Sequence, residues 1–101
     1  METFAVVWKW KTTDENRVLE HVNEQYEQTK KLWEDGVIEN VYFDKDETFT
    51  NDGTFPSISF FIKSKNESEA KNILDNLQFV KQNIAKYKLL DVGMFWMGVK
   101  K

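Results

Sequence analysis

A single histidine, His21, stands in a chain of 101 residues that contains no cysteine. Together these facts bound the available chemistry. An imidazole titrates near neutral pH and can serve as a general base or a metal ligand. With no second histidine and no clear carboxylate triad to complete a site, a structural or surface role is the commoner fate of such a residue. His21 falls between Val18 and Val22 of a predicted helix, at the border of its apolar stripe. Gln25, one turn further on, is a poor orienting group, and Glu20 and Glu24 supply charge without a predictable geometry. Two carboxylates on predicted strands, Glu39 and Asp91, are the remaining candidates. Either would become a proton acceptor in an apolar cavity that raised its pKa. The competing arrangement leaves both in solvent or paired with Lys9 or Lys88.

The lack of cysteine removes thiolate nucleophiles, disulfides and any Cys-ligated zinc or iron–sulfur centre. The acidic stretch from Asp44 onward invites comparison with a calcium loop. It places Phe49 where the loop needs glycine and Phe55 where it needs a bidentate glutamate, so the comparison fails. No metal and no organic cofactor is expected.

Composition narrows the setting. Hydrophobic residues make up 41% of the chain and charged residues 31%, with a formal net charge of -3, which describes an ordinary globular domain. Lysines cluster at Lys9, Lys11, Lys63, Lys65, Lys86, Lys88, Lys100 and Lys101. Carboxylates interleave with many of them, giving a solvated surface rather than a nucleic-acid footprint. No apolar run approaches the roughly 20 residues that span a bilayer, and the N-terminal apolar stretch is too short for a signal peptide. The expectation is a cytoplasmic protein forming a single domain over 1–101. Eight Phe, four Trp and three Tyr are a heavy load for one small core, since each large ring brings about 150 to 250 Å² of surface. The alternatives are an aromatic core and burial in a subunit interface or ligand pocket.

Positioning these residues requires the following elements. FAVVWKW (4–10) reads as a central strand with both faces largely apolar. A helix is predicted from a cap at Thr13 or Asp14 to Asp35, with the stripe Val18, Val22, Tyr26, Thr29 and Trp33 flanked by Leu19 and Leu32. Gly36 ends it. VIENVYF (37–43) and SISFFIK (57–63) read as strands joined by a long hairpin loop over 44–56. Asn66 and Glu69 cap a second helix that ends near Leu77, and 77–93 passes from helical to strand-like patterning. The order strand, helix, strand, strand, helix, strand predicts an α+β ferredoxin-like βαββαβ plait: a four-stranded antiparallel sheet with two helices on one face. Val7, Tyr42 and Phe61 then lie on the face the helices leave open. Phe4, Val6, Trp8 and Trp10 share one face of the first strand by the two-residue period; Trp8 and Trp33 are placed in the helix-facing core, and Trp96 is left without an assigned face.

NLQFVKQNIAKYKLLDVG (76–93) resembles the closing signature of the dimeric α/β-barrel superfamily, in which a Leu-Pro-Phe-Val type turn leads into a strand patterned like Ile-x-Tyr-x-Val. Leu77, Phe79 and Val80 match the turn; Ile84, Tyr87 and Leu89 approximate the strand; Gln78 stands where proline is usual. The long first helix closing in Glu-Asp-Gly before Val37 and Ile38 is similar to the muconolactone isomerase-like and YCII-related branches. The resemblance implies a homodimer and a small-molecule pocket more strongly than a reaction. Ala5 and Val7 replace the polar first-strand groups of the isomerase-like proteins, and the second helix lacks the histidine of the haem-degrading relatives. Two expectations follow. One is a small enzyme, isomerase-like or monooxygenase-like, acting without cofactor on an apolar or aromatic molecule; the other is a non-catalytic binding or dimerisation module. A ligand pocket is expected at Val7, Tyr42, Ser59 and Phe61, with His21 and the 44–56 loop at its rim. A cavity without any titratable side chain would favour the non-catalytic expectation.

Overall fold

A computed structural model describes residues 1–43, 45 and 57–92. The elements are β1 (Glu2–Trp10), α1 (Glu15–Glu34), β2 (Ile38–Phe43), β3 (Ile58–Ser64), α2 (Glu67–Asp75), α3 (Gln78–Lys81) and β4 (Ala85–Val92). The strands form one antiparallel sheet in the order β2-β3-β1-β4. This α+β arrangement is compatible with a ferredoxin-like plait. The calcium-loop comparison, most of the 44–56 hairpin loop, Trp96, Lys100 and Lys101 lie outside the described residues.

Alternation divides the sheet cleanly. Phe4, Val6 and Trp8 of β1 and Phe60 and Ile62 of β3 are buried and join Val18 of α1 and Ala70 and Leu74 of α2 in a single core. The intervening residues Ala5, Val7, Ser59 and Phe61 are only half-buried and occupy the open face. Among the described residues no helix covers that face. Strand β2 departs from strict alternation through a bulge between Glu39 and Tyr42, where Asn40 takes a left-handed φ of 56°. The extra residue returns Tyr42 to the open face alongside Glu39, whose partner is Phe61.

Each helix boundary has a chemical cause. The Asp14 carboxylate accepts from the backbone N–H of Asn16 and Arg17 at the start of α1. At its end, Gly36 adopts φ 76°, and Gly36 N–H and Val37 N–H donate to Trp33 C=O and Leu32 C=O at 3.1 and 2.9 Å. That is a Schellman closure. Asn66 accepts from Glu69 N–H at 2.8 Å and the Glu69 carboxylate accepts from Lys65 N–H at 2.7 Å, so the expected capping pair is present at α2.

One expectation is corrected. The inward stripe of α1 runs through Val18, Val22, Gln25, Thr29 and Leu32, with Gln25 buried, whereas Tyr26 and Trp33 are 60% and 62% exposed. Trp33 is therefore not core. A residue seven positions after Tyr26 follows it around the helix, and both lie on a flank rather than against the sheet. The second helix ends at Asp75 with Asn76 as its C-cap, near the expected end at Leu77, and a separate turn, α3, follows. Its exit repeats the closure of α1 without glycine: Asn83 takes φ 61°, and Asn83 and Ile84 donate to Val80 and Phe79 carbonyls at 3.1 and 2.9 Å. Asparagine tolerates the left-handed region better than most residues, and the chain turns into β4 within one step.

Candidate functional site

Between the helix-facing side of the sheet and the α1–α3 pair lies a cavity of about 130 Å³. Its sheet wall comes from Trp8 and Trp10 of β1, Ile58 and Phe60 of β3, and Ile38 and Val41 of β2. Its helical wall comes from Gln25 and Thr29 of α1, with Leu77 and Phe79 at the turn before and within α3. The aromatic walls are braced in pairs. Trp8 meets Phe60 at a centroid distance of 6.2 Å, and Trp10 meets Phe79 edge-on at 5.4 Å, the tilted geometries that ring quadrupoles favour.

The two polar residues in this wall are occupied by the protein itself. Gln25 Oε1 accepts from the buried Phe79 N–H at 2.8 Å, and Gln25 Nε2 donates to Thr29 Oγ1 at 3.0 Å. The Thr29 hydroxyl donates in turn to Gln25 C=O at 2.9 Å. One turn along α1, Gln28 Oε1 accepts from Gln78 N–H at 2.7 Å, while its Nε2 donates to Asn76 C=O at 3.1 Å. Leu77 at the N-cap of α3 makes no side-chain capping bond. Glutamines of α1 therefore satisfy the first free N–H groups of a helix distant in sequence. Among the described residues the lining holds no carboxylate, imidazole, amine or phenol, so these residues offer shape and apolar contact but no group for proton transfer.

The candidate chemical residues are not brought together. His21 Nδ1 lies 2.9 Å from Gln78 Nε2. With the amide donating, the neutral ring carries its proton on Nε2, which is 3.9 Å from Glu20 Oε1. His21 thus docks α1 onto α3 and does not line the cavity. Glu39 sits on the open face with its Oε2 3.3 Å from Lys63 Nζ, not paired with Lys9 or Lys88. Asp91 stands opposite Phe4 at the margin of the sheet and is exposed. Val7, Ser59 and Tyr42 are consecutive neighbours across the open face, and Phe61 pairs with Ala5 beside them. None of these four residues touches the helix-side cavity. Among the described residues no cluster of His, Cys, Asp or Glu could hold a metal ion.

Gln25, Thr29, Trp10 and Phe79 form walls that sequence reasoning did not assign to a site. The available signal was the position of Gln25 at the centre of the series Val18, Val22, Gln25, Thr29 and Leu32, where a buried polar residue must have a partner.

One further group has an altered titration. Tyr87 Oη donates to Asp75 Oδ1 at 2.8 Å, and burial first, then that bond and the carboxylate's charge, raise the phenol well above its usual range. The folded state therefore holds this proton more tightly than the unfolded chain does. Its contribution to stability is complete below the ordinary phenol value of 10.0 and is lost as pH rises beyond it. Urea titrations from pH 8 upward should show a decline above about pH 10 that Tyr87→Phe reduces. An identical decline in both proteins would show that other groups cause it.

The chain matches no family model, and no curated protein matches it.

Proposed function

We propose that this protein binds a small apolar or aromatic molecule without transforming it, and that it does so as a ferredoxin-like domain paired through its open face in the manner of a dimeric α/β barrel. The observation that carries the binding reading is the lining of the helix-side cavity: aromatic and aliphatic side chains, with Gln25 and Thr29 already satisfied internally. An engineered apolar cavity of about 150 Å³ takes up benzene, so a single substituted ring suits this space. The pairing reading is supported by the run of Leu90, Ala5 and Phe61 across adjacent strands with no helix over them among the described residues.

Toluene tests the first part. At ten times its Kd it should stabilise the fold by about 1.4 kcal/mol, a shift of several degrees in Tm for a domain of this size. Absence of any shift at saturating toluene would remove the binding reading. Appearance of an oxidised or isomerised product from a bound aromatic would replace it with an enzyme. Light scattering tests the second part, with an expected mass of twice 12.0 kDa.

A further inference from the structure

The open face is graded. Leu90, Ala5 and Phe61 form an apolar row across β4, β1 and β3. The next row is Lys88, Val7 and Ser59, and beyond it Lys9 stands directly opposite Lys86. Like charges at directly opposed positions of an antiparallel pair repel. Elsewhere on this face the charge is balanced, since Lys63 is held by Glu39 at 3.3 Å. Lys9, Lys86 and Lys88 have no ion pair or hydrogen bond to a side chain among the described residues. Around them the surface dips into a hollow of about 220 Å³ lined by Val7, Lys9, Lys86, Tyr87 and Lys88.

We propose that this hollow is a second site, which takes a small organic carboxylate. The anionic group sits among the three ammoniums, relieving their mutual repulsion, and the apolar body lies over Val7 at the floor of the hollow. The chemistry differs from that of the helix-side cavity, whose described wall residues carry no charge. The site belongs to a single chain and does not depend on pairing. If two chains do meet through this face, the bound anion supplies the countercharge that enclosed lysines require.

The test is a titration of the isotope-labelled full chain with benzoate, followed by amide chemical shifts, against sodium chloride and sodium phosphate at matched ionic strength. Benzoate should give saturable shifts at Val7, Lys9, Lys86 and Lys88, at least threefold tighter than phosphate, while chloride gives none. The Lys9→Gln/Lys86→Gln variant should lose at least tenfold in benzoate affinity while keeping the wild-type pattern of amide shifts elsewhere, and Lys88→Gln alone should lose less. Non-saturable benzoate shifts, or equal affinity in wild type and variant, would overturn the site. Phosphate binding as tightly as benzoate would overturn the organic carboxylate. Toluene should leave these four amides unmoved; if it shifts them as benzoate does, the hollow recognises only the ring and the assignment to the lysines is wrong.

Discussion

Phe60→Ala should lower the unfolding free energy by about 3–5 kcal/mol, the cost of removing a large buried ring and leaving a void, whereas its neighbour Phe61→Ala should cost no more than about 1 kcal/mol. The two residues are adjacent on β3 but face opposite ways. Phe60 is 6% exposed, tilts against Trp8 and walls the helix-side cavity. Phe61 is half-buried on the open face beside Ala5 and Glu39. Urea denaturation of both variants measures the difference directly. The binding consequences should invert the stability ranking in an informative way. Phe61→Ala should keep toluene affinity and weaken self-association, while Phe60→Ala, provided it folds at low temperature, should admit larger aromatics than toluene. A Phe61→Ala variant that unfolds, beside a Phe60→Ala variant that does not, would mean that the strand faces are reversed.

That facing was legible because β1 and β3 obey the two-residue period without interruption. Ile58, Phe60 and Ile62 separate from Ser57, Ser59 and Phe61 by inspection, and the sheet register places the first set against Trp8, Val6 and Phe4. Strand β2 was less legible. Strict alternation would send Glu39 and Tyr42 to opposite faces, and only the left-handed Asn40 at the bulge brings them to the same one. Asparagine at such a position is a permissive residue rather than a required one, so the bulge leaves no unambiguous mark. The same applies to Asn83. The abrupt change from helical to strand-like patterning within 77–93 is accomplished by a Schellman closure on a residue that does not announce it as Gly36 does.

The helix stripe is obscured in the sequence for a different reason. Trp33 and Tyr26 carry the largest apolar surfaces on α1, and weighting the period by those rings draws the inward direction toward them. The smaller residues Val18, Val22, Thr29 and Leu32 define the true direction. Gln25 lies at its centre. A buried amide is unfavourable in isolation, and nothing local to α1 compensates fully for it. Its compensation is the N–H of Phe79, which arrives only when the chain has folded back from beyond α2. The cavity was illegible on the same account, since two of its walls, α1 and α3, meet only once the chain has folded back in this way.

Gln25→Met should therefore cost about 1–3 kcal/mol, the penalty for stranding a buried backbone donor, although methionine matches glutamine in length and is more apolar. The lost acceptor is Oε1, 2.8 Å from Phe79 N–H in a buried contact. Thr29 Oγ1 loses the Nε2 donor at 3.0 Å at the same time but still donates to the residue-25 carbonyl. Gln28→Met is the matched comparison. Gln28 gives Gln78 N–H an acceptor at 2.7 Å of the same kind, but its other bond, to Asn76 C=O, lies in an exposed setting. Water can supply the donor that Asn76 C=O loses there, and the Gln78 N–H contact is only part-buried where that of Phe79 is buried, so the second variant should lose about 1 kcal/mol or less. Amide hydrogen exchange separates the mechanism from a general loss of packing: in Gln25→Met the Phe79 amide should lose protection well beyond the fall in global stability, with β1 amides following only the global change. Equal costs for the two substitutions, or uniform loss of protection, would mean that α3 is held by its apolar contacts alone and that the glutamine bridges are incidental to it.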